Sequence, residues 1–348
     1  MPQYVLAFVV VVSVVGLLWA GSTSTAAFGG YNPAWDGSRD ARLLADEDAD
    51  VAVLRDTAGY EGLDANTSTA VVLSPSEPYS DESLSRLRAF VERGGTLVVA
   101  SDFDTQANDV LAGVGAGSRV DGRVLRDERF HGASPALPIA TNVSNGSYTT
   151  GVDRLALNYP SIVVPGGNAS TVVASSAYGY LDVNGNEELD DDEELGSSPV
   201  VTTESVGDGT VVVVSDPSVF INTMLDKGDN AAFAGNVFAT ETVAFDYSHS
   251  AGLPPLATVV LVLRESALAQ LAVGVALVVL AALAMGGRRP VERVRDRLGR
   301  PDPVSRAGVS EREVVAFVHD RHPDWDRERA ERLAQSINLP SRNDGGER

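Results

Sequence analysis

Apolar residues fall along this chain in three patterns. Residues 4–20, YVLAFVVVVSVVGLLWA, form an uncharged run that ends near Trp19. Residues 267–286, ALAQLAVGVALVVLAALAMG, form a second run whose one polar side chain is Gln270. Both are long enough to predict membrane-spanning helices, the first at the short end of the range. Between them the pattern is finer. DVAVLRD (50–56) and TAVVLSP (69–75) are short β-branched runs bounded by turn residues. SDESLSRLRAFVERGG (80–95) repeats Leu84, Leu87, Phe90 and Val91 at helical spacing, with Ser80 as N-cap and Gly94-Gly95 as the stop. TLVVAS (96–101) is apolar without alternation, as in a strand buried on both faces. Strand, helix and strand in that order predict a βαβ crossover in a parallel sheet.

The pattern continues with a helix in DTQANDVLAGVG and short strands in RLALNY, SIVV and STVVASSAYGYLD. SPVVTTESVGDGTVVVVSD predicts a hairpin around Gly-Asp-Gly. A last helix is expected over residues 230–243 and a closing strand in AFDY. The tail, residues 307–340, predicts a helical hairpin broken at His322-Pro323, too small to be stable unless it docks on something.

Charge then orients the chain. Six arginines occupy residues 288–306 up to Arg300, directly after the second apolar run, and predict a cytoplasmic C-terminus. Two spans place the N-terminus inside as well, and residues 21–255 outside. That outer segment holds 35 acids and 12 bases, a net −23, whereas residues 288–348 hold 12 acids and 14 bases, a net +2. The first run lacks the basic flank of a signal peptide and reads as a retained anchor. Four N-x-Ser/Thr sequons, at Asn66, Asn142, Asn145 and Asn168, all lie in the outer segment. The apolar residues 256–263, interrupted by Arg264 and Glu265, read as an interfacial approach to the membrane.

The whole chain carries −21, and of its 27 basic residues one, Lys227, is lysine. Acid-rich, lysine-poor surfaces stay hydrated in molar salt, where repulsion is screened to a few ångströms. The composition therefore reads as that of a salt-in halophile, a haloarchaeon. Its acidity argues against nucleic acid as a partner. The absence of cysteine excludes disulfides, thiolate metal sites and a cysteine nucleophile.

YNPAWDG, VVLSPSEPYSDESLSRLRAFVERGGTLVVASDF and GDGTVVVVSDPSVFINTMLDKGDNAAFAGNVF resemble the haloarchaeal branch of domain-of-unknown-function family 4350. That resemblance covers most of residues 28–290. It implies an α/β, mostly parallel-sheet domain of flavodoxin-like or amidotransferase-like type over residues 28–250, set between two transmembrane helices. It also implies partners by analogy: a cytosolic MoxR-type AAA ATPase and neighbouring membrane proteins.

Candidate chemistry is sparse. Glutaminase activity needs a cysteine on a strand-to-helix turn, and there is none. Ser101 and Ser215 follow apolar strands, where α/β sheets place ligands. A serine hydrolase would draw its base from His131 or His249. The competing reading is that these serines and the aspartates after them cap the next helix. Residues 180–196 pose a separate question. Asp182, Asn184, Asn186, the Glu188 carbonyl, Asp190 and Glu193 match positions 1, 3, 5, 7, 9 and 12 of a calcium-binding loop, with Leu189 at the apolar position 8. Glu187 stands where glycine is expected. The two readings are a calcium or similar hard-cation site and a solvated hairpin tip. The leading functional expectation is a non-enzymatic membrane-anchored binding or scaffold protein. The alternative is a serine-dependent hydrolase, and a sugar or peptide receptor ranks below both because exposed aromatic residues do not cluster.

Overall fold

The computed structural model describes residues 2–103, 105–250, 253–285, 311–326, 328–329 and 331–333. The chain divides into two compact units, Met1–Gln270 and Leu271–Arg348. The first holds an eight-stranded sheet with helices on both faces. Its elements in chain order begin with α1 (Pro2–Ser22), α2 (Arg39–Asp48), β1 (Asp50–Leu54), β2 (Ser68–Leu73), α3 (Asp81–Glu92), β3 (Thr96–Ala100) and α4 (Thr105–Val114). There follow β4 (Arg119–Val120), β5 (Val124–Asp127), β6 (Ile139–Ala140), β7 (Asn142–Val143), β8 (Leu155–Ala156), β9 (Val163–Val164), β10 (Ser170–Ala174) and β11 (Gly179–Asp182). The unit closes with β12 (Pro199–Val206), β13 (Gly209–Val214), α5 (Asn230–Val237), β14 (Thr242–Asp246) and α6 (Pro255–Glu265).

The main sheet runs β1-β14-β2-β3-β13-β12-β10-β7. The neighbours from β1 to β13 pair in parallel, and β12, β10 and β7 extend the sheet antiparallel. The mostly parallel α/β reading holds for the central strands. All six residues of β2 are buried, and so are Leu97 to Ala100 of β3, because helices cover both faces. Val98 and Ala100 face a core shared with Ala41 and Ala45 of α2 and Phe233 and Val237 of α5. Leu97 and Val99 face the other core, with Leu87, Phe90 and Val91 of α3 and Val110 and Leu111 of α4. Alternate residues of one strand thus serve two cores, as the two-residue period of a strand requires.

Local signals explain the boundaries. The Ser80 hydroxyl accepts the Ser83 N–H and starts α3, with Asp81 and Glu82 in its first turn. Gly94, at φ 106°, ends it. The β12–β13 hairpin turns at Gly207 and Asp208, with Val206 opposite Gly209. Other boundaries differ from the expected ones. The last helix stops at Val237, and the segment after it returns as strand β14. That strand does not close the sheet at an edge: it inserts between β1 and β2. STVVASSAYGYLD splits, with β10 in the main sheet and β11 in a separate ribbon with β5. RLALNY and SIVV contribute the two-residue pairings β8 with β6 and β9 with β4.

The two apolar runs are helical, in α1 and in α7 (Ala267–Met285), and residues 256–263 lie in α6. Among the described residues no single helix is long and apolar enough to cross a membrane; Pro255–Leu263 and Ala267–Ala282 pass that test as a bent pair. The structure therefore does not show the two expected spans. In the second unit, α8 (Glu311–Arg321) is the first arm of the expected tail hairpin, followed by a turn in which His322 stacks on Trp325. Only residues 328–329 and 331–333 of the second arm are described, and the arginine-rich linker 288–306 lies outside the described residues.

A Cβ on Gly209 would overlap the carbonyl oxygens of Val91 and Gly95. Gly209→Ala is expected to separate the hairpin from the end of α3 and lower stability by about 2 kcal/mol or more. Chemical denaturation of the two proteins would measure it; equal stability would show that this approach is not constrained.

Candidate functional site

The carboxyl ends of β2 and β14 border a cavity of about 350 Å³. Its walls include Phe28, Val71, Leu73, Ser74, Phe245 and Asp246, with Ala26, Ala27, Ser76, Tyr247 and Ser250 around them. Parallel strands place ligand sites at this end because their outgoing connections diverge there. The segment after α1 folds over the strand ends. The Gly30 N–H donates to the Tyr247 hydroxyl at 2.7 Å, and the Phe28 N–H donates to the Asp36 carbonyl at 2.8 Å. Two non-glycine residues of the wall, Phe28 at φ 57° and Ser74 at φ 42°, hold left-handed backbone. Each costs on the order of 1 kcal/mol, and such strain gathers at functional sites.

Asp246 is the charged group of this wall. It is buried, with 6% of its surface exposed. The hydroxyls of Tyr60 and Tyr79 donate to its Oδ2 at 2.8 and 3.2 Å, and the Ser248 N–H donates to Oδ1 at 2.8 Å. Burial, and then the Asp246 charge, push the hydroxyl pKa of Tyr60 and of Tyr79 well above the ordinary tyrosine range. Both tyrosines therefore stay protonated and act as donors. Among the described residues no arginine, lysine or histidine forms an ion pair with Asp246.

His249 lies beside this cluster. Its ring stacks on Tyr79 with centroids 3.7 Å apart, and its Nδ1 is 2.7 Å from the Ser248 hydroxyl. Its carbonyl accepts the N–H groups of Ser76 and Glu77, both at 3.1 Å, and so ties the loop after β2 to the loop after β14. Ser248 and His249 give a hydroxyl–imidazole contact. No carboxylate pairs with His249 among the described residues, so the orienting acid of a catalytic triad is missing.

The serines expected as nucleophiles are placed differently. Ser101 and Ser215 are both fully buried. The Ser215 hydroxyl donates to the carbonyls of Ser161 and Val200. The Ser101 hydroxyl has no hydrogen-bond partner among the described residues and no exposed surface. Neither meets an imidazole: the rings of His131 and His249 contact Gly132 and Ser248 respectively. The helix-cap reading fits the next residue better, since Asp216 accepts the Ser218 N–H at 2.7 Å and starts a short 3-10 turn. Asp216 also accepts the Asn158 N–H at 2.7 Å. Burial raises its pKa to about 7 against those hydrogen bonds, and the charge of Asp102 adds to the rise.

The calcium-loop residues form a closed turn. Glu187 has φ 71°, the left-handed geometry that position 6 demands of glycine. Its carboxylate lies 3.5 Å from Arg126, whose guanidinium makes a buried ion pair with Asp182 at 2.8 Å. The side-chain amides of Asn184 and Asn186 both donate to Asp190, at 2.7 and 2.8 Å. Glu193 accepts the N–H groups of Val183 and Asp190, and the Glu188 N–H donates to Asn186. In this structure a guanidinium pairs with the carboxylate at position 1, and the amide nitrogens of positions 3 and 5 point at position 9.

Residues 30–238, more than half of the chain, match the family described as a domain of unknown function, DUF4350. The chain belongs to this family. No curated protein matches it significantly. Similar solved structures include the mmIFT52 N-terminal domain, at 14% identity, TM-score 0.47, covering 58% of this chain and 88% of that one. A cytoplasmic protein of Salmonella typhimurium LT2 is 12% identical, TM-score 0.34, over 58% of this chain and 79% of that one. An exo-beta-1,4-mannosidase from Opitutaceae bacterium strain TAV5 is 14% identical, TM-score 0.29, over 49% and 24%. At these scores the likenesses assign no activity to this DUF4350 member.

Of this cluster the sequence singled out His249. It missed Tyr60, Tyr79, Ser74, Asp246 and Ser248. The signal for Ser248 was its place beside His249 in DYSHS; Tyr60 stands 186 residues from Asp246 and carried none.

Two expectations follow. Replacing Arg126 by Met leaves the buried Asp182 unpaired and should cost about 3–5 kcal/mol in denaturant unfolding; an unchanged midpoint would show the pair to be dispensable. Asp216 has a folded-state pKa above its unfolded value, so the stability it contributes is full below about pH 4 and is lost as pH rises through about 7. Asp216→Asn should flatten the fall in thermal midpoint between pH 4 and 7. A slope identical to the wild type would contradict that assignment.

Proposed function

We propose that this DUF4350 protein is a non-catalytic, membrane-anchored binding or scaffold protein of a halophilic archaeal envelope. Its amidotransferase-like α/β domain lies outside the cell, and its two ends lie in the cytoplasm. The observation that carries the non-catalytic reading is the state of the strand-end serines: both are buried away from any imidazole.

The membrane reading is supported by exposed apolar side chains on the two terminal helices. Tyr4 is 80% exposed on α1 and Leu268 79% exposed on α7. Rows of such residues are unstable in water and suit hydrocarbon. α1 packs against α6 in the first unit, and a groove there is lined by Val15, Val51, Val53, Leu256, Val260 and Leu261 together with Tyr31, Arg42 and Asp46. The arginines after the second apolar run favour a cytoplasmic tail. The tail is the docking element for a MoxR-type AAA ATPase or a membrane neighbour, a partner suggested by the family resemblance.

Crosslinking and affinity purification of tagged full-length protein from native membranes in high salt tests this, beside a chain truncated after Arg300. One ATPase or membrane protein is expected to be enriched and to disappear on truncation. Recovery of the tagged protein in the soluble fraction, or no specific partner, would overturn the reading.

A further inference from the structure

We propose that Asn145 carries an N-linked glycan, and that the folded domain withholds the sequon at Asn66 from the same modification. This rests on the extracytoplasmic placement above, because such sequons are glycan acceptors in surface loops of secreted segments. The four sequons are spread over residues 66–170 of the chain, but the fold gathers three of them. Asn142 lies in β7, Asn145 follows it, and Asn168 lies in the turn before β10, the strand that pairs with β7. β7 ends the main sheet on one side and β1 on the other. Seven strand spacings of about 4.8 Å set the two edges about 34 Å apart along the sheet. Val51 and Val53 of β1 share a groove with Val15 of α1 and Val260 of α6. The apolar helices α1 and α6 thus adjoin one edge and the three sequons the other. There a bulky, solubilising sugar has room and covers the unpaired side of an edge strand.

The side chains separate the four candidates. Glycan transfer needs the asparagine amide and the hydroxyl two residues on, both within reach of the transferring enzyme. Asn145 and Ser147 are exposed, and neither side chain makes a hydrogen bond among the described residues. The loop that carries them has a fixed base: the Ser144 N–H donates to the Val172 carbonyl at 2.9 Å and the Asn236 amide to the Thr150 carbonyl at 2.8 Å. At the neighbouring sequon the Asn142 amide donates to the Ser197 hydroxyl at 3.3 Å, and the Ser144 hydroxyl donates to the Thr171 carbonyl at 3.2 Å. The Asn168 amide donates to the Ser205 carbonyl at 3.1 Å. Asn66 is exposed, but its partner hydroxyl on Ser68 is buried in β2, between β14 and β3. The Asn145 sequon therefore presents both groups uncommitted. The step itself is a substitution without redox change. Asn145 Nδ2 attacks C1 of a sugar carried as a lipid-linked phosphate. The Nδ2–C1 bond forms, the bond from C1 to the phosphate oxygen breaks, and the phosphate leaves with the electron pair. The displaced amide proton passes to a base of the transferring enzyme.

Glycopeptide mass spectrometry of the full-length protein from its own membranes tests the assignment. A sugar mass is expected on Asn145 and none on Asn66. Asn145→Gln and Ser147→Ala should each lose the Asn145 sugar with the fold intact by circular dichroism, since both positions are exposed. Ser147→Thr keeps the hydroxyl and should retain the sugar. An unmodified Asn145, a sugar on Asn66, or a sugar kept by Ser147→Ala would each overturn the proposal. The chain has no cysteine, so Thr141→Cys, at an exposed position of the same loop, reports the side of the membrane in the Asn145→Gln background. The probe is a membrane-impermeant maleimide added to intact cells. Labelling of intact cells with no sugar on the wild-type protein overturns this proposal alone. Labelling only after lysis overturns the external placement and this proposal with it.

Discussion

The insertion of Thr242–Asp246 between β1 and β2 organises the first unit. Its main-chain ladder pairs Thr242 with both Asp50 and Ser68, so two strands close together in sequence are separated by one that arrives near the end of the domain. The sheet is complete only when this strand is in place. Parallel pairing of such distant segments has a high loop-closure cost, which the two apolar cores offset by burying both faces. The same insertion carries Asp246 to the strand ends, where Tyr60 and Tyr79 receive it.

Around that axis the protein treats charge in two ways. Most of its acids are on the surface, where hydration and high salt make repulsion tolerable. A few are buried, and each is held by a specific set of groups. Asp182 has Arg126, Asp216 has main-chain N–H groups, and Glu204 accepts the N–H groups of Gly117 and Ser118 and the Ser118 hydroxyl. Asp246 accepts two tyrosine hydroxyls and the Ser248 N–H.

The acidic loop illustrates how one pattern serves two ends. Asp and Asn at alternating positions cap the N–H groups of the next turn as readily as they ligate a cation, because both tasks need short side-chain oxygens near a tight backbone. Arg126, on the neighbouring strand β5, pairs with Asp182, the first residue of that pattern. Glu187 accepts left-handed geometry there while its carboxylate approaches the same arginine.

Sequence alone determined the elements whose signal is local. β3 and β13 were legible as unbroken apolar runs, α3 from its cap and spacing, the β12–β13 hairpin from Gly-Asp-Gly, and the charge asymmetry from a count. The serines at strand ends were legible as positions, but their burial was not, because burial depends on loops from elsewhere such as that carrying Ser161. Tertiary structure decided the strand order, the pairing of Arg126 with Asp182 and the meeting of Tyr60, Tyr79 and Asp246. These contacts join residues 56 to 186 positions apart. Periodicity reports which face of an element is apolar; it says nothing about which distant element will cover that face, and the site forms where those distant choices meet.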